Sequence, residues 1–560
     1  MHSIDDAPVA PPLVELPIDT HDRGFYDGFS RAVTIPSKII VSLIIMWAIF
    51  FPVSASETLS AANSTIIASF SGWYVYLVAS LMAVCFLLAL WPASGRLKIG
   101  AQDEAPEFGR FSWFAMLFGA GIGIGMLTYS TGEPLAHFAN NPDIIRGTIE
   151  PLSAEAVRPA YIYTFLHWGF AAWGSYALVG LAIGYVAYRR NLPLTIRSAL
   201  APLFGLRMSG IWGHVIDIVA VVATILGVAV TMGFGVEQFV AGLARLGLGD
   251  WLLDSDGSSS AMAVVISLLV LVGASTISAL SGVGKGIKWL SNLNMALSFA
   301  LLALFAIVGS GLLGLEYLFV GLWDYLRTLV PNSLTLFPGG GETGDALVQW
   351  QLDWSVFYWA WWIAFAPFVG MFIARISRGR TVREYVLGVV LVPSLMCFVW
   401  MTLVGGTAIN LELSGAAGGS IVGTGISDQL FATLSVLLSP GVAGVVSGLV
   451  VLLLMTYLVT SADSAILIVN TINGAGETEG QRRYHILFWG AALAFVVGSM
   501  LILGGIDAIR ITMIIGALPF SFVVALMAIS IIKAVVFDIR RKRHGVPTTA
   551  EGCAEWSAAK

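Results

Sequence analysis

The sequence has little charge and very little cysteine. Only 11% of its 560 residues are Asp, Glu, Lys or Arg, and 57% are hydrophobic, whereas soluble domains carry about 25% charged residues. The three cysteines, Cys85, Cys397 and Cys553, are too few and too scattered for a disulfide framework or a metal site. These deficits exclude an ordinary soluble domain and a small disulfide-rich protein, and they indicate a polytopic membrane protein.

The N-terminal region also lacks the basic-then-apolar pattern of a signal peptide. Residues 1–34 are predicted to form an acidic cytoplasmic tail, and residues 536–560 a short cytoplasmic C-terminal tail. Between them, in residues 35–535, apolar runs long enough to cross roughly 30 Å of hydrocarbon predict twelve spans. The runs lie near residues 36–54, 71–92, 111–130, 159–187, 214–244, 261–281, 289–313, 350–376, 384–409, 440–470, 484–505 and 509–533.

The distribution of basic residues supports this count. With the N-terminus inside, 24 of the 29 Lys and Arg residues fall in inward segments and 5 in outward segments. Since basic residues collect in cytoplasmic loops, both termini are predicted to be cytoplasmic.

The third span contains an unusual glycine run, FGAGIGIGMLTYSTGEP (residues 118–134). Each glycine destabilises a helix by about 1 kcal/mol relative to alanine. The run therefore predicts a locally unwound helix, whose backbone at Gly119, Ala120 and Gly121 faces a cavity. Close helix packing through small residues is the alternative.

A second interruption is predicted five spans later, where span 8 carries Pro367 and Gly370. Paired broken helices in two repeats indicate a transporter binding site. Because five is an odd number, spans 3–7 (about 111–313) and 8–12 (about 350–533) would have opposite orientations. This is the inverted five-helix repeat of the leucine-transporter fold, an all-α membrane fold, with spans 1 and 2 extra.

Span 8 is also rich in aromatic rings, in WSVFYWAWWIAFAPFVG (residues 354–370), and span 4 adds HWGFAAWGSY (residues 167–176). Rings at helical spacing are often packing or interfacial belts, but these lie in the middle of their spans. Quaternary ammonium groups are held by aromatic cages, with about 2 kcal/mol for each desolvated contact. Three or four contacts give roughly 6–8 kcal/mol, close to the 8 that micromolar binding requires.

Polar groups at membrane depth are sparse. Glu133, Asp217 and Asp353 lie near span ends, and Asp463 lies inside span 10. The neighbouring hydroxyls of Thr460 and Ser461 would suit a small hard cation, and ordinary back-bonding within a helix is the alternative.

The stretch FYWAWWIAFAPFVGMFIARISRGRTVRE (residues 357–384) resembles the signature of the betaine/choline/carnitine transporter family. The glycine run, the span 4 aromatics and the TSADS of span 10 follow the family's order, and the resemblance covers about residues 30–535. It implies a twelve-helix importer of onium compounds that works by alternating access and is often a homotrimer.

The resemblance also implies roles for particular residues. It implies an aromatic box of Trp168, Trp173, Tyr176 and Trp362, with Trp359 and Trp361 nearby. It implies a sodium site formed by the backbone carbonyls of Leu117, Ala120 and Tyr457 and the hydroxyls of Thr460 and Ser461. Sodium-independent antiporters of the family place a methionine near that site, so the hydroxyl pair predicts sodium coupling.

Three positions depart from the family pattern. Phe365 replaces a further tryptophan of the betaine carriers, which predicts a pocket for a different onium head. Val228 replaces a threonine of a second sodium site, of which Thr224 and Phe368 remain. The C-terminal tail is short and nearly neutral, which argues against osmotic gating.

The sequence thus predicts a sodium-coupled importer of glycine betaine, a choline-like compound or the sulfonium analogue dimethylsulfoniopropionate. Its location would be the bacterial inner membrane, its partners lipid, sodium and solute, with no nucleic acid and no cofactor besides the coupling ion. A sodium-independent exchanger is the alternative. A channel or receptor would need rings of carbonyls or charges, and an enzyme a nucleophile–base or metal cluster; the sequence indicates neither.

Overall fold

The computed structural model describes residues 10–121, 123–255, 257–281, 286–477 and 483–558. Within these ranges the chain is helical, with isolated β-bridges and no strand. The predicted all-α membrane fold is confirmed.

The main helices follow one another with short turns between them. They are α1 (Arg31–Phe50), α2 (Pro52–Leu90), α3 (Arg110–Gly121), α4 (Ile124–Ala139), α5 (Val157–Trp168), α6 (Phe170–Arg190), α7 (Ile211–Arg245), α8 (Ala261–Ser281), α9 (Gly286–Ile307), α10 (Gly311–Leu334), α11 (Gly341–Gln351), α12 (Phe357–Ile376), α13 (Val382–Trp400), α14 (Gly406–Leu413), α15 (Ile426–Leu437), α16 (Pro440–Asn473), α17 (Arg483–Arg543) and α18 (Ala550–Ala558).

In the described part of the chain, ten helical stretches are long and apolar enough to cross a membrane, where twelve spans were predicted. The two differences are local. The third span is divided into α3 and α4, each of them short. The last two spans form one helix of 61 residues, α17, in which Gly504 and Gly505 leave the helical conformation. Gly505 has a φ of 64°, a region that glycine enters without steric cost, so the chain bends between the two predicted spans.

The third span is interrupted as predicted, but the break lies at Gly123, which is extended (φ −155°, ψ −163°) just before α4 begins. The predicted position was wrong, since Gly119, Ala120 and Gly121 are helical residues at the end of α3. The predicted break in span 8 is wrong, since α12 runs without interruption through Pro367 and Gly370. Gly370 instead permits close packing. A Cβ on Gly370 would lie 3.0 Å from the backbone nitrogen of Gly180, so α6 and α12 cross with their backbones almost touching.

A buried ion cluster ties the end of α6 to the end of α17. The Asp538 carboxylate accepts hydrogen bonds from the Tyr185 hydroxyl at 2.7 Å, Arg190 Nη2 at 3.1 Å and Arg189 Nε at 3.3 Å. Arg541 adds a contact at 2.8 Å. Arg189 and Arg190 are buried, and the buried Asp538 carboxylate is paired with both of them, so loss of this carboxylate would leave two buried positive charges.

Two connecting segments are joined by backbone hydrogen bonds at the same end of the molecule. Ile99 and Arg380 are joined by a backbone hydrogen bond of 2.8 Å, and Val382 donates to the carbonyl of Leu97 at 2.8 Å. The segment between α2 and α3 is thereby paired with the segment between α12 and α13. These contacts fix the helices that carry the aromatic residues.

Candidate functional site

The aromatic residues converge where α4, α5, α6 and α12 meet. Gly169 separates α5 from α6, and a Cβ there would lie 2.4 Å from the carbonyl oxygen of Phe165, so the turn requires glycine. The turn places Trp168 at the last position of α5 and Trp173 in the first turn of α6. Two helices thus present their rings to α12 from adjacent directions.

The four residues of the predicted aromatic box form one connected group. The ring centroids of Trp168 and Trp362 are 5.2 Å apart with an interplanar angle of 72°. Tyr176 lies 6.0 Å from Trp362 at 77°, and Trp173 lies 5.5 Å from Tyr176 at 79°. This edge-to-face arrangement is favourable for aromatic rings, and it brings together side chains from three helices.

The neighbouring aromatic residues divide into two groups. Trp361 stacks on Trp362 at 5.0 Å, and Phe365 lies 6.5 Å from Tyr176, so both border the box. Trp359 instead packs edge-on against His167 at 5.8 Å.

The glycine run contributes to the box through Gly125. A Cβ on Gly125 would lie 3.2 Å from Trp168 and 3.2 Å from Trp361, so glycine at this position leaves space for both indoles. Gly119 is exposed, and a Cβ there would meet nothing within 4 Å. The side chain of Ala120 and the surroundings of Gly121 lie outside the described residues.

Sequence reasoning assigned no role to Glu133, which lies at the centre of a buried hydrogen-bond network in the structure. Its Oε1 lies 2.6 Å from His167 Nδ1 and 3.3 Å from His137 Nε2. Its Oε2 accepts a hydrogen bond of 2.5 Å from Trp168 Nε1 and another from the Tyr358 hydroxyl. All of these side chains except Trp168, which is 6% exposed, are fully enclosed. The available sequence signal was the i, i+4 spacing of Glu133 and His137 on one helix.

Glu133, His137 and His167 could supply metal ligands, since one ligand atom from each lies within 4.8 Å of the others. The separation of 2.6 Å between Glu133 and His167 is nevertheless a hydrogen-bond distance. Two ligands at about 2.0–2.1 Å from a tetrahedral zinc ion are roughly 3.3 Å apart. The residues are therefore arranged as a hydrogen-bond network and do not surround an ion-sized space.

The residues of the predicted sodium site lie on α3 and α16. Thr460 Oγ1 donates to the carbonyl of Thr456 at 3.0 Å and accepts from Asn294 Nδ2 at 3.3 Å. This is the back-bonding that the sequence left open as an alternative. Leu117 is buried on α3 and Ser461 is half-buried. Since one lone pair of the Thr460 oxygen remains, the sodium site stays a prediction.

The remaining ion candidates have structural partners. Thr224 Oγ1 donates to the carbonyl of Ala220 at 2.7 Å, and Phe368 packs against Phe365 at 5.0 Å. Asp463 accepts a hydrogen bond of 2.7 Å from Ser278, and Asp217 is paired with Arg197 at 2.5 Å.

Comparisons with known proteins agree on one family. Residues 32–539 match the model described as "BCCT, betaine/carnitine/choline family transporter". The chain is 37% identical to the glycine betaine transporter OpuD of Bacillus subtilis, over 88% of this chain and 92% of that protein. It is 38% identical to the high-affinity choline transport protein of Escherichia coli K12, over 84% of this chain and 67% of that protein.

The chain is also similar to a third transporter and, more distantly, to a solved structure. The osmo-independent choline transporter BetT1 of Acinetobacter baylyi is 36% identical, over 89% of this chain and 92% of that protein. A solved sodium-coupled sialic acid symporter aligns with 82% of this chain and 85% of its own, at 12% identity and a TM-score of 0.41, a likeness too distant to bear on function.

Proposed function

The chain belongs to the betaine/carnitine/choline transporter family, and on this premise we propose that it imports a quaternary ammonium or sulfonium compatible solute by sodium symport. The protein would lie in the bacterial inner membrane with both termini in the cytoplasm. Its substrate would be glycine betaine, a choline-like compound or dimethylsulfoniopropionate.

The observation that carries the proposal is the connected group of buried rings from α5, α6 and α12. Trp168, Trp173, Tyr176 and Trp362 are 4–6% exposed, so a ligand among them would be largely desolvated. Desolvated cation–π contacts are the strongest of their kind. An onium head has no hydrogen-bond donor, so the rings can hold it without a hydrogen-bond acceptor.

Phe365 bears on which onium compound is preferred. A phenyl ring fills less space than an indole, and Phe365 borders the box beside Tyr176. We therefore propose a pocket that is wider at this side than one with a further tryptophan, which favours a substrate with a bulkier group near its cationic head.

Sodium coupling is proposed from the Thr460–Ser461 pair. Occupation of an oxygen site between α3 and α16 would connect the broken third span to the tenth span. By linkage, sodium must then tighten substrate binding by the factor by which substrate tightens sodium binding, typically 5–150-fold.

Uptake into proteoliposomes tests both parts of the proposal. Labelled choline and labelled glycine betaine are offered with a sodium gradient, and each is competed with the other, with carnitine and with dimethylsulfoniopropionate. Saturable uptake of at least one onium compound is expected. No uptake of any of them would overturn the assignment.

The coupling ion is tested by replacing external sodium with potassium, with and without a proton gradient. Concentrative uptake that persists unchanged would favour the sodium-independent exchanger. In the double variant Thr460→Ala, Ser461→Ala we expect a higher sodium concentration for half-maximal uptake and a smaller change at saturating sodium. The matched control is Thr433→Ala, which removes a buried, back-bonded hydroxyl on α15.

A further inference from the structure

We infer that Glu133 is the fixed negative charge of the substrate site, and that it makes the aromatic box select a cation over a neutral molecule of the same shape. The inference rests on the proposed function. It concerns a residue that lies behind the rings and acts through them, as a positioning and selecting residue.

The charge of Glu133 follows from matching donors to acceptors. An indole N–H can only donate, so Trp168 donates to Glu133 Oε2. His167 donates through Nδ1 when its Nε2 accepts from the Ser355 hydroxyl at 2.9 Å. His137 donates through Nε2 in the tautomer whose Nδ1 carries no proton.

With the Tyr358 hydroxyl as the fourth donor, every contact is satisfied when Glu133 is a carboxylate and both histidines are neutral. The ion pairs of Glu133 in the described residues involve these two histidines alone. In this protonation state, which the inference assigns, the network carries one net negative charge, held by charge-assisted hydrogen bonds and fully enclosed.

This charge contacts the box directly, through the indole N–H of Trp168. Trp168 is itself a member of the box, and the ring of Tyr358 lies 5.3 Å from that of Trp362 at an interplanar angle of 25°. Hydrogen bonds to an anion polarise the rings that make them. The electron-rich faces of Trp168 and Tyr358 would then attract a cation more strongly.

The same network fixes the geometry of the box. Trp362 Nε1 donates to the backbone carbonyl of His167 at 2.9 Å, so His167 holds Trp362 with its carbonyl and Glu133 with its ring. A buried charge without a counter-ion is unfavourable, and a bound onium head would supply the missing positive charge. A neutral ligand would gain only the ring contacts.

The test compares each onium compound with a carbon isostere whose head group is uncharged. Choline is paired with the neutral 3,3-dimethylbutan-1-ol, and the zwitterion glycine betaine with the anion 3,3-dimethylbutanoate. Each isostere has a tert-butyl group in place of the trimethylammonium head, so each pair differs by one positive charge at the same place. Dissociation constants are measured on the purified full-length protein, by calorimetry or by competition against labelled substrate. The quantity of interest is the selectivity ratio of each pair, which is the dissociation constant of the isostere divided by that of the onium compound.

Glu133→Gln preserves the shape of the side chain and removes its charge. For charges roughly 8 Å apart at an effective dielectric constant of about 20, we expect this selectivity ratio to fall by roughly 10- to 50-fold, because only the onium compound loses affinity. Glu133→Asp keeps the charge and is expected to keep the ratio, while both ligands bind more weakly. Glu237→Gln, which alters a half-buried carboxylate bonded to Ser259, should leave the ratio unchanged.

The outcomes separate the inference from the proposed function. If Glu133→Gln weakens an onium compound and its isostere equally, Glu133 has only a structural role and the inference is overturned. If Glu133→Gln does not fold, the Glu133→Asp variant provides the test. A fall in its selectivity ratio would overturn the inference, because this variant keeps the charge. If the wild-type protein binds no onium compound, the proposed function fails first.

Discussion

Trp362 joins the two sides of the aromatic box, since its ring contacts Trp168 from α5 and Tyr176 from α6. Its indole N–H is also bonded to the carbonyl of His167. The side chain therefore serves as a ring face and as a positioned hydrogen-bond donor, and the two roles can be separated by substitution.

We expect Trp362→Ala to weaken onium binding by roughly 30-fold, the equivalent of one desolvated contact of about 2 kcal/mol. Trp362→Phe should have a smaller effect, because it keeps a ring and loses the bond to His167. Affinities from competition uptake in proteoliposomes check this order. Near-normal affinity in the alanine variant would exclude Trp362 from the binding site.

For single residues, the sequence indicated which aromatic rings lie on one face of a helix, but it did not indicate the partners of Glu133. The rings of α12 share a face because residues three, four and seven apart on a helix do so, and that pattern is local. Glu133 meets His167 and Tyr358, which are 34 and 225 residues away. Such contacts depend on how the helices are arranged, and no local spacing reveals them.

Among the helices, α4 is shaped by the need to let two indoles approach its backbone. Gly125 lies opposite the edges of Trp168 and Trp361. A methyl group at 3.2 Å is tighter than ordinary contact and would force one of these rings to shift.

A graded series at this position tests the geometry. Gly125→Ala is expected to weaken substrate affinity several-fold and Gly125→Val by at least about tenfold, because the larger side chain would displace Trp168 from the box. The matched control is Gly444→Ala on α16, where a Cβ meets nothing within 4 Å. Substrate affinity and thermal stability are measured for all three. Unchanged affinity in Gly125→Val would show that the ring positions are not critical.

The helices also show why only one of the two predicted interruptions exists. Glycine and proline in a membrane span indicate either an unwound segment or a close crossing, and the sequence does not distinguish them. Gly123 belongs to an unwound segment, whereas Gly370 lies at the crossing with Gly180. The partner helix decides between the two outcomes.

At the scale of the whole molecule, the Asp538 cluster is a buried electrostatic contact that joins two distant helices outside the site. Asp538→Asn would leave Arg189 and Arg190 buried without a counter-ion. We expect this variant to lower the free energy of unfolding by about 3–5 kcal/mol, measured by denaturation in mixed micelles.

Asp507→Asn is the control for this prediction, because Asp507 is 83% exposed and lies 3.6 Å from Arg510. Its effect should be below about 1 kcal/mol. Equal stability of the two variants would show that the buried cluster contributes no more than a surface pair.

The excess of basic residues in the segments assigned to the cytoplasm predicts the orientation of the molecule in the membrane. We expect a reporter fused after residue 560 to be active only as a cytoplasmic protein, and one inserted in residues 413–425 only as an exported protein. Paired alkaline phosphatase and green fluorescent protein fusions make this measurement. The opposite activities would show that the predicted topology is inverted.

The network around Glu133 has a mechanical consequence. It joins α4 and α5 of the first predicted repeat to α12 of the second through contacts that are buried and charge-assisted. A movement that separated these helices would leave the Glu133 carboxylate in a dry interior without its hydrogen-bond donors. The three helices are therefore expected to move as one rigid body, which includes parts of both predicted repeats. We expect the hinges at Gly123 and Gly169, which border this rigid body and whose backbone is already outside the helical conformation.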